Sequence, residues 1–190
     1  MRVNTIVCIA SGPSLTPADV NYCRGKARVL VVNDNYRLAP WADWLYAADR
    51  NWWDRYADDV SLTFAGERWT CTEVAGKAHG LNHIRSAKLP GLSRDPSVIH
   101  EGHNSGYQAI NLARHFGAER IVLLGYDMQG AHWFGDHPRE FRARNDFSVL
   151  LPPFDALSAD LAADGIEAIN CTRDTALKTF PRSTIEQVLQ

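Results

Sequence analysis

A three-layer α/β fold, a mainly parallel sheet with helices on both faces, is what this sequence predicts, and three observations carry the expectation. Short apolar runs at residues 5–10, 29–32, 44–48 and 121–124 stop abruptly at small or polar residues, as strands buried on both faces do. Helical patterns alternate with these runs instead of being segregated from them. At 190 residues, with 45% apolar side chains, the chain suits a single domain spanning residues 1–190.

Taken in order, residues 5–10 form the first, central strand, ended by Ser11-Gly12-Pro13. Residues 29–32 repeat the pattern and close on Asn33-Asp34-Asn35, and residues 44–48 close on Asp49-Arg50-Asn51. Residues 51–56 suit a short helix, and strands are expected at 61–65 and 69–72, around Gly66. From 73 to 99 the periodicity fades, and Gly76, Gly80, Pro90, Gly91 and Pro96 punctuate an expected loop with short pieces of structure, a lid or binding insertion. Ser105 is the expected N-cap of a helix with an apolar stripe of Ile110, Ala113 and Phe116, stopped by Gly117. Residues 121–124 then make the next buried strand. Residues 131–146 are polar and aromatic without periodicity, a second candidate functional loop. Pro153 opens a helix over 154–163, Gly165 ends it, residues 166–170 supply the last strand, and 184–189 a short terminal helix. Trp41, Trp44, Trp52 and Trp53 are expected to pack the sheet.

The bulk numbers narrow the function. Twenty basic and twenty-two acidic side chains, interspersed, give a net charge of −2, so no face is built for nucleic-acid phosphates. Cys8, Cys23, Cys71 and Cys171 show no CxxC spacing and read as reduced, mostly buried thiols. Residues 1–4 are polar and no apolar run approaches a membrane span, so a cytoplasmic protein without a membrane partner is expected.

In a parallel sheet, ligands bind outside the carboxyl ends of the strands. The turn Ser11-Gly12-Pro13-Ser14 falls there: Gly12 lets backbone amides approach an anion, and Ser14 offers a hydroxyl or a helix cap. Asn33, Asn51 and the Asn104-Ser105-Gly106 turn fall at the same edge. An Asn amide carries both a donor and an acceptor, which suits a pyrimidine or pterin edge or a ribose hydroxyl. Asp127, just past a buried strand, could hold a ribose, a metal or a substrate amine, or serve as a cap or ion-pair partner. The loop carrying His132, Asp136 and His137 offers an acid/base site or a divalent-metal site, and its spacing is similar to the HxHxDH of metallo-hydrolases with Phe134 at the second His. His100 and His103 flank Glu101 beside the Asn104 turn.

With these residues in hand, the chain resembles the superfamily that joins bacterial CMP-sialic acid sialyltransferases with archaeal 6-hydroxymethylpterin diphosphokinase-like proteins, in the form of a small phage or prophage-type member. The resemblance runs over most of the chain: Gly12 to Leu15 (GPSL), the VNDNYRL segment around Asn33, Asn51 with Trp52-Trp53, the SGYQAINLARHFGAERIVLLGYD stretch from Ser105 to Asp127, and the last helix-strand unit. It implies a Rossmann-like nucleotide-binding domain in which Ser11, Gly12, Ser14, Asn33, Asn51, Ser105 and Gly106 line the nucleotide site, with a cytidine nucleotide favoured. Three departures stand out. Ser11 replaces the family's usual Asn, Gln129 stands where a tyrosine is expected, and Leu150-Leu151-Pro152 meets the position of the general-base histidine.

The expected activity is a transferase acting on a nucleotide-linked small molecule or pyrophosphate donor. Asp127, His132 and His137 are its candidate catalytic residues, and Mg²⁺ would be required for pyrophosphoryl transfer. The alternatives are a non-catalytic nucleotide-binding phage accessory protein and a metal-dependent hydrolase using His132, Asp136 and His137. An exposed edge strand or Trp surface offers a route to a homo-oligomer.

Overall fold

A computed structural model describes residues 3–135 and 146–190. Seven parallel strands form the main sheet: β1 (Thr5–Ile9), β2 (Arg28–Val32), β3 (Trp44–Tyr46), β4 (Glu67–Thr70), β5 (Asn82–His83), β8 (Arg120–Leu124) and β9 (Glu167–Asn170). Between β5 and β8 in the chain, β6 (Arg85–Ala87) and β7 (Val98–His100) pair in parallel as a separate ribbon. The order in the main sheet is β5-β4-β3-β2-β1-β8-β9.

The apolar runs are strands because both of their faces are covered. Along β1, Ile6 and Cys8 join one core cluster while Val7 and Ile9 join the other, and β2 and β8 alternate in the same way. Each such Val, Leu or Ile contributes roughly 1.5–3 kcal/mol by leaving water. The cluster holding Ile6 is covered by α4 (Ser105–His115) and α6 (Pro153–Ala163), through Tyr107, Ile110, Phe154 and Leu157. The cluster holding Val7 is covered by α1 (Pro17–Cys23), α2 (Arg50–Thr63) and α7 (Ile185–Val188), through Val20, Trp53, Val60 and Ile185. The result is the three-layer, Rossmann-like α/β architecture that the sequence predicts.

Several local expectations are corrected. Residues 61–65 are not a strand, because α2 continues to Thr63. Its inner face is set by Trp52, Trp53 and Val60, while Leu62, within the expected strand, is 86% exposed. The stretch from 73 to 99 is not mainly loop. It contains α3 (Glu73–His79), stopped by Gly80 at φ 64°, and then β5, β6 and β7, each of two or three residues. Apart from Ile99 their residues are exposed or half-buried, so no apolar run announces them. Of the tryptophans, Trp44, Trp52 and Trp53 are buried as expected, and Trp41 is half-buried under the Arg24 guanidinium.

The chain steps outward from β1 through β2, β3, β4 and β5, then returns to place β8 on the opposite side of β1. Connections leaving adjacent strands in opposite directions open a crevice at the carboxyl ends of β1 and β8, the switch point of the sheet.

Candidate functional site

The floor of the crevice is built from two strand-end turns pressed backbone to backbone. Ala10 donates its amide to the Leu124 carbonyl and Gly12 donates to the Gly125 carbonyl, both at 2.8 Å. A Cβ on Gly12 would lie 2.0 Å from Asp127 Oδ1 and 2.6 Å from the Gly125 carbonyl, and one on Gly125 would lie 2.1 Å from the Ala10 carbonyl. Glycine is therefore dictated by this contact at both positions.

Asp127 locks the turn from below. Its Oδ2 accepts the Ser14 amide at 2.8 Å, and its Oδ1 is buried without a partner among the described residues. Burial pushes its carboxyl above the ordinary range, and the Ser14 contacts act against that rise. Ser14 in turn joins the segment after β9: its hydroxyl accepts the Asp174 amide at 3.2 Å. The N-cap of α1 is Thr16, whose hydroxyl accepts the Asp19 amide.

On the other side of β1, the chain leaves β2 through a 3-10 turn, Asn33–Arg37. Asn35 is fully buried there. Its Nδ2 donates to the Ile9 carbonyl at 2.9 Å and to Ser11 Oγ at 3.1 Å, while its Oδ1 accepts the Trp133 indole N–H at 2.7 Å. The Trp133 amide also donates to the Ser11 carbonyl at 3.0 Å.

The third wall is the amino end of α4. Asn104 caps it, with Oδ1 accepting the Tyr107 amide at 2.8 Å and Nδ2 donating to the Gly102 carbonyl. Asn104, and not Ser105, is thus the N-cap; Ser105 is the first helical residue. Tyr126 anchors this end by donating its hydroxyl to the Gly106 carbonyl at 2.9 Å. The amides of a first helical turn have no intrahelical partner, and the helix dipole adds partial positive charge there.

These walls enclose a cavity of about 270 Å³, near the lower end of the ~300–1,000 Å³ usual for small-molecule sites. Ser11, Gly12, Asn33, Asn104, Ser105, Gly106 and His132, all expected from the sequence, line it together. Pro13, Ser14, Asn51 and Asp127 do not. Pro13 is exposed, Ser14 faces the 174 segment, Asn51 is exposed on α2, and Asp127 is beneath the floor. His137, with Asp136, lies outside the described residues. Among the described residues no three His, Cys, Asp or Glu side chains gather in a way that would hold a metal ion.

The cavity also has members that the sequence did not single out. Asp49 lines it from just before α2, and Phe147 and Leu150 line it from α5 (Phe147–Leu150), with Leu150 in the Leu150-Leu151-Pro152 stretch where the resemblance would put a histidine. Of the two histidines that the sequence placed beside the Asn104 turn, His103 lines the cavity and His100 does not. Among the described residues the non-glycine positions at positive φ are Asn33 (50°), His103 (62°) and Met128 (51°), and all three line this one cavity. Such conformations cost of order 1–3 kcal/mol each and gather at functional sites. Asn33 and His103 were visible by their place at strand and helix ends, but nothing in the sequence marks Met128 or the positive φ of any of the three.

Chemically, the cavity offers helix-end amides for an anion, the Ser11 hydroxyl and the Asn33 amide for polar readout, and Asp49, His103 and His132 as proton-exchanging groups. The His132 ring is stacked on Phe134 at 5.0 Å between centroids. Compared with protein-family models, with curated proteins and with solved structures, the chain gives no significant match.

Proposed function

We propose that this chain binds a nucleotide-linked small molecule, with a cytidine nucleotide favoured, in the switch-point crevice and acts as a transferase on it. One observation carries the reading: the turns after β1 and β8 and the amino end of α4 surround a single cavity at the carboxyl edge of the sheet. Phosphate oxygens would meet the amides of Ser105 and Gly106, and the base or ribose would meet Ser11 and Asn33. In glycosyl transfer a base removes the proton from an acceptor hydroxyl, the oxygen attacks the anomeric carbon, and the bond from that carbon to the phosphate oxygen breaks with its electron pair leaving on phosphate. His132 and His103 are the lining imidazoles available for that proton.

A second reading, nucleotide binding without turnover, is favoured by one specific feature. Leu150 lines the cavity at the stretch where the resemblance puts the sialyltransferase-type base. A thermal-shift panel of CMP, CDP, UDP, GDP, ADP, pterins and divalent metals tests the site itself. A ligand at a hundred times its Kd stabilises the native state by about 2.7 kcal/mol, roughly 5–10 °C for a chain of this size. Response to cytidine nucleotides supports the reading, and silence across every nucleotide overturns it. Turnover assays on donors that bind then separate the transferase from the binder.

A further inference from the structure

We propose that Asn35 is a positioning residue that fixes the Ser11 hydroxyl as a donor into the cavity and holds the His132-bearing loop against the same strand end. The amide has one self-consistent orientation. Nδ2 faces two acceptors, the Ile9 carbonyl and Ser11 Oγ, and Oδ1 faces a donor, the Trp133 indole N–H. A flipped amide would set oxygen against the Ile9 carbonyl and two donors against each other. Because Ser11 Oγ accepts from Asn35, its own proton is directed elsewhere, and Ser11 lines the cavity. The same buried amide pins Trp133, whose backbone N–H also donates to the Ser11 carbonyl, and His132 is the preceding residue. Contact with a ligand at Ser11 and the placement of His132 are therefore coupled through one side chain.

The identity of the probe, CMP, rests on the nucleotide reading above; the hydrogen-bond network does not. The test is a double-mutant cycle in CMP affinity together with amide hydrogen exchange on the ligand-free protein. Asn35→Ala and Ser11→Ala should each weaken CMP about tenfold, the size expected for one well-made polar contact. The double variant should be no weaker than Asn35→Ala alone, because the two residues act as one unit. A purely structural Asn35 would give losses that multiply, and that result overturns the proposal. Asn35→Ala should also exchange the Trp133 amide at least about tenfold faster, since its anchor is gone; unchanged exchange overturns the proposal whether or not CMP binds. Should Asn35→Ala not fold, Trp133→Phe removes the indole donor and keeps an aromatic, though smaller, ring. It should speed exchange at residue 133 while CMP affinity stays within about threefold, and unaltered exchange in this variant also overturns the proposal. If the wild type binds no CMP, the nucleotide reading fails and the exchange result alone decides the positioning role.

Discussion

The Asn104 side chain accepts the Tyr107 amide at 2.8 Å, so a residue expected to read a ligand is also the cap of the helix whose amino end faces the cavity. Capping and recognition can be separated by charge. Asn104→Ala removes the cap and should cost about 1 kcal/mol, a fall of ~2–4 °C in Tm. Asn104→Asp keeps an acceptor for Tyr107 and should hold the Tm, while its carboxylate repels a phosphate seated at the helix end. CMP affinity should then fall roughly tenfold or more. Equal affinity in the Asp variant, measured by titration, would put the phosphate elsewhere.

Gly12→Ala should damage the fold and the site together. The added Cβ would sit 2.0 Å from Asp127 Oδ1 and 2.6 Å from the Gly125 carbonyl, and the backbone neighbour cannot rotate away. A loss of roughly 1–3 kcal/mol in a urea titration is the expected cost of such overpacking. A stability within experimental error of wild type would mean that the two strand-end turns are not in contact.

Asp127→Asn probes the carboxylate beneath that turn. Its folded pKa is raised, chiefly by burial, so the native state holds a proton more firmly than the unfolded chain. The charged form is then a liability above the folded pKa, and the liability disappears as pH falls below the ordinary carboxylate value. An amide oxygen can still accept the Ser14 N–H. The variant should therefore be at least as stable as wild type at pH 7 by denaturant titration, with the difference shrinking towards pH 4. A large loss at pH 7 would show that the charge itself is needed.

How much was legible in the sequence follows from length and period. The strands β1, β2, β3 and β8 were readable because each is an apolar run with both faces covered, and the two-sided cores confirm it. β5, β6 and β7 were not, since Ile99 is their one fully buried residue and no apolar run marks them, whereas all three residues of β3 are buried. The SGPS and NSG turns were visible as glycine punctuation at strand and helix ends, and both reach the cavity through Ser11, Gly12, Asn104, Ser105 and Gly106. Asn35, by contrast, looked like ordinary turn chemistry beside Asn33. Its role depends on Trp133, 98 residues away, a partner that local pattern cannot supply. Asp127 showed the reverse limit: its position after a strand was clear, but only the packing of Gly12 over it reveals a floor rather than a reacting group.

Thiol chemistry offers an independent check of the core. All four cysteines are free; Cys8, Cys23 and Cys171 are buried and Cys71 is partly exposed. Burial pushes the Cys23 thiol to about 12 and that of Cys171 to about 11, and it raises Cys8 further still. The thiolate is the reactive form. At pH 8 an aromatic disulfide reagent should titrate one thiol per native chain, lost in Cys71→Ser, and four after denaturation. Rapid reaction of more than one native thiol would contradict the burial of Cys8 on β1, Cys23 on α1 or Cys171 just after β9.

The acid side of the stability profile should be shaped by His115. Its Nε2 lies 2.7 Å from the Val98 carbonyl, an acceptor, so that nitrogen carries the proton and Nδ1 is the bare one. Nδ1 is buried with no partner among the described residues, and so is Nδ2 of Asn111 one helical turn earlier. Protonating Nδ1 would bury a charge whose surroundings include Arg114 and His100 as well as Asp95. Burial, the largest influence, lowers the imidazole pKa, with Arg114 and His100 acting in the same direction. In the unfolded chain the same imidazole takes up a proton near its ordinary value of about 6.5. Below that pH the unfolded state binds more protons than the native state, so stability falls as pH falls until the depressed native pKa is passed. His115→Gln removes the titrating group, so the difference between the two denaturation profiles isolates it from the other histidines. The variant should lose less stability than wild type between pH 7 and pH 5, and parallel profiles would show that His115 protonates freely in the folded state.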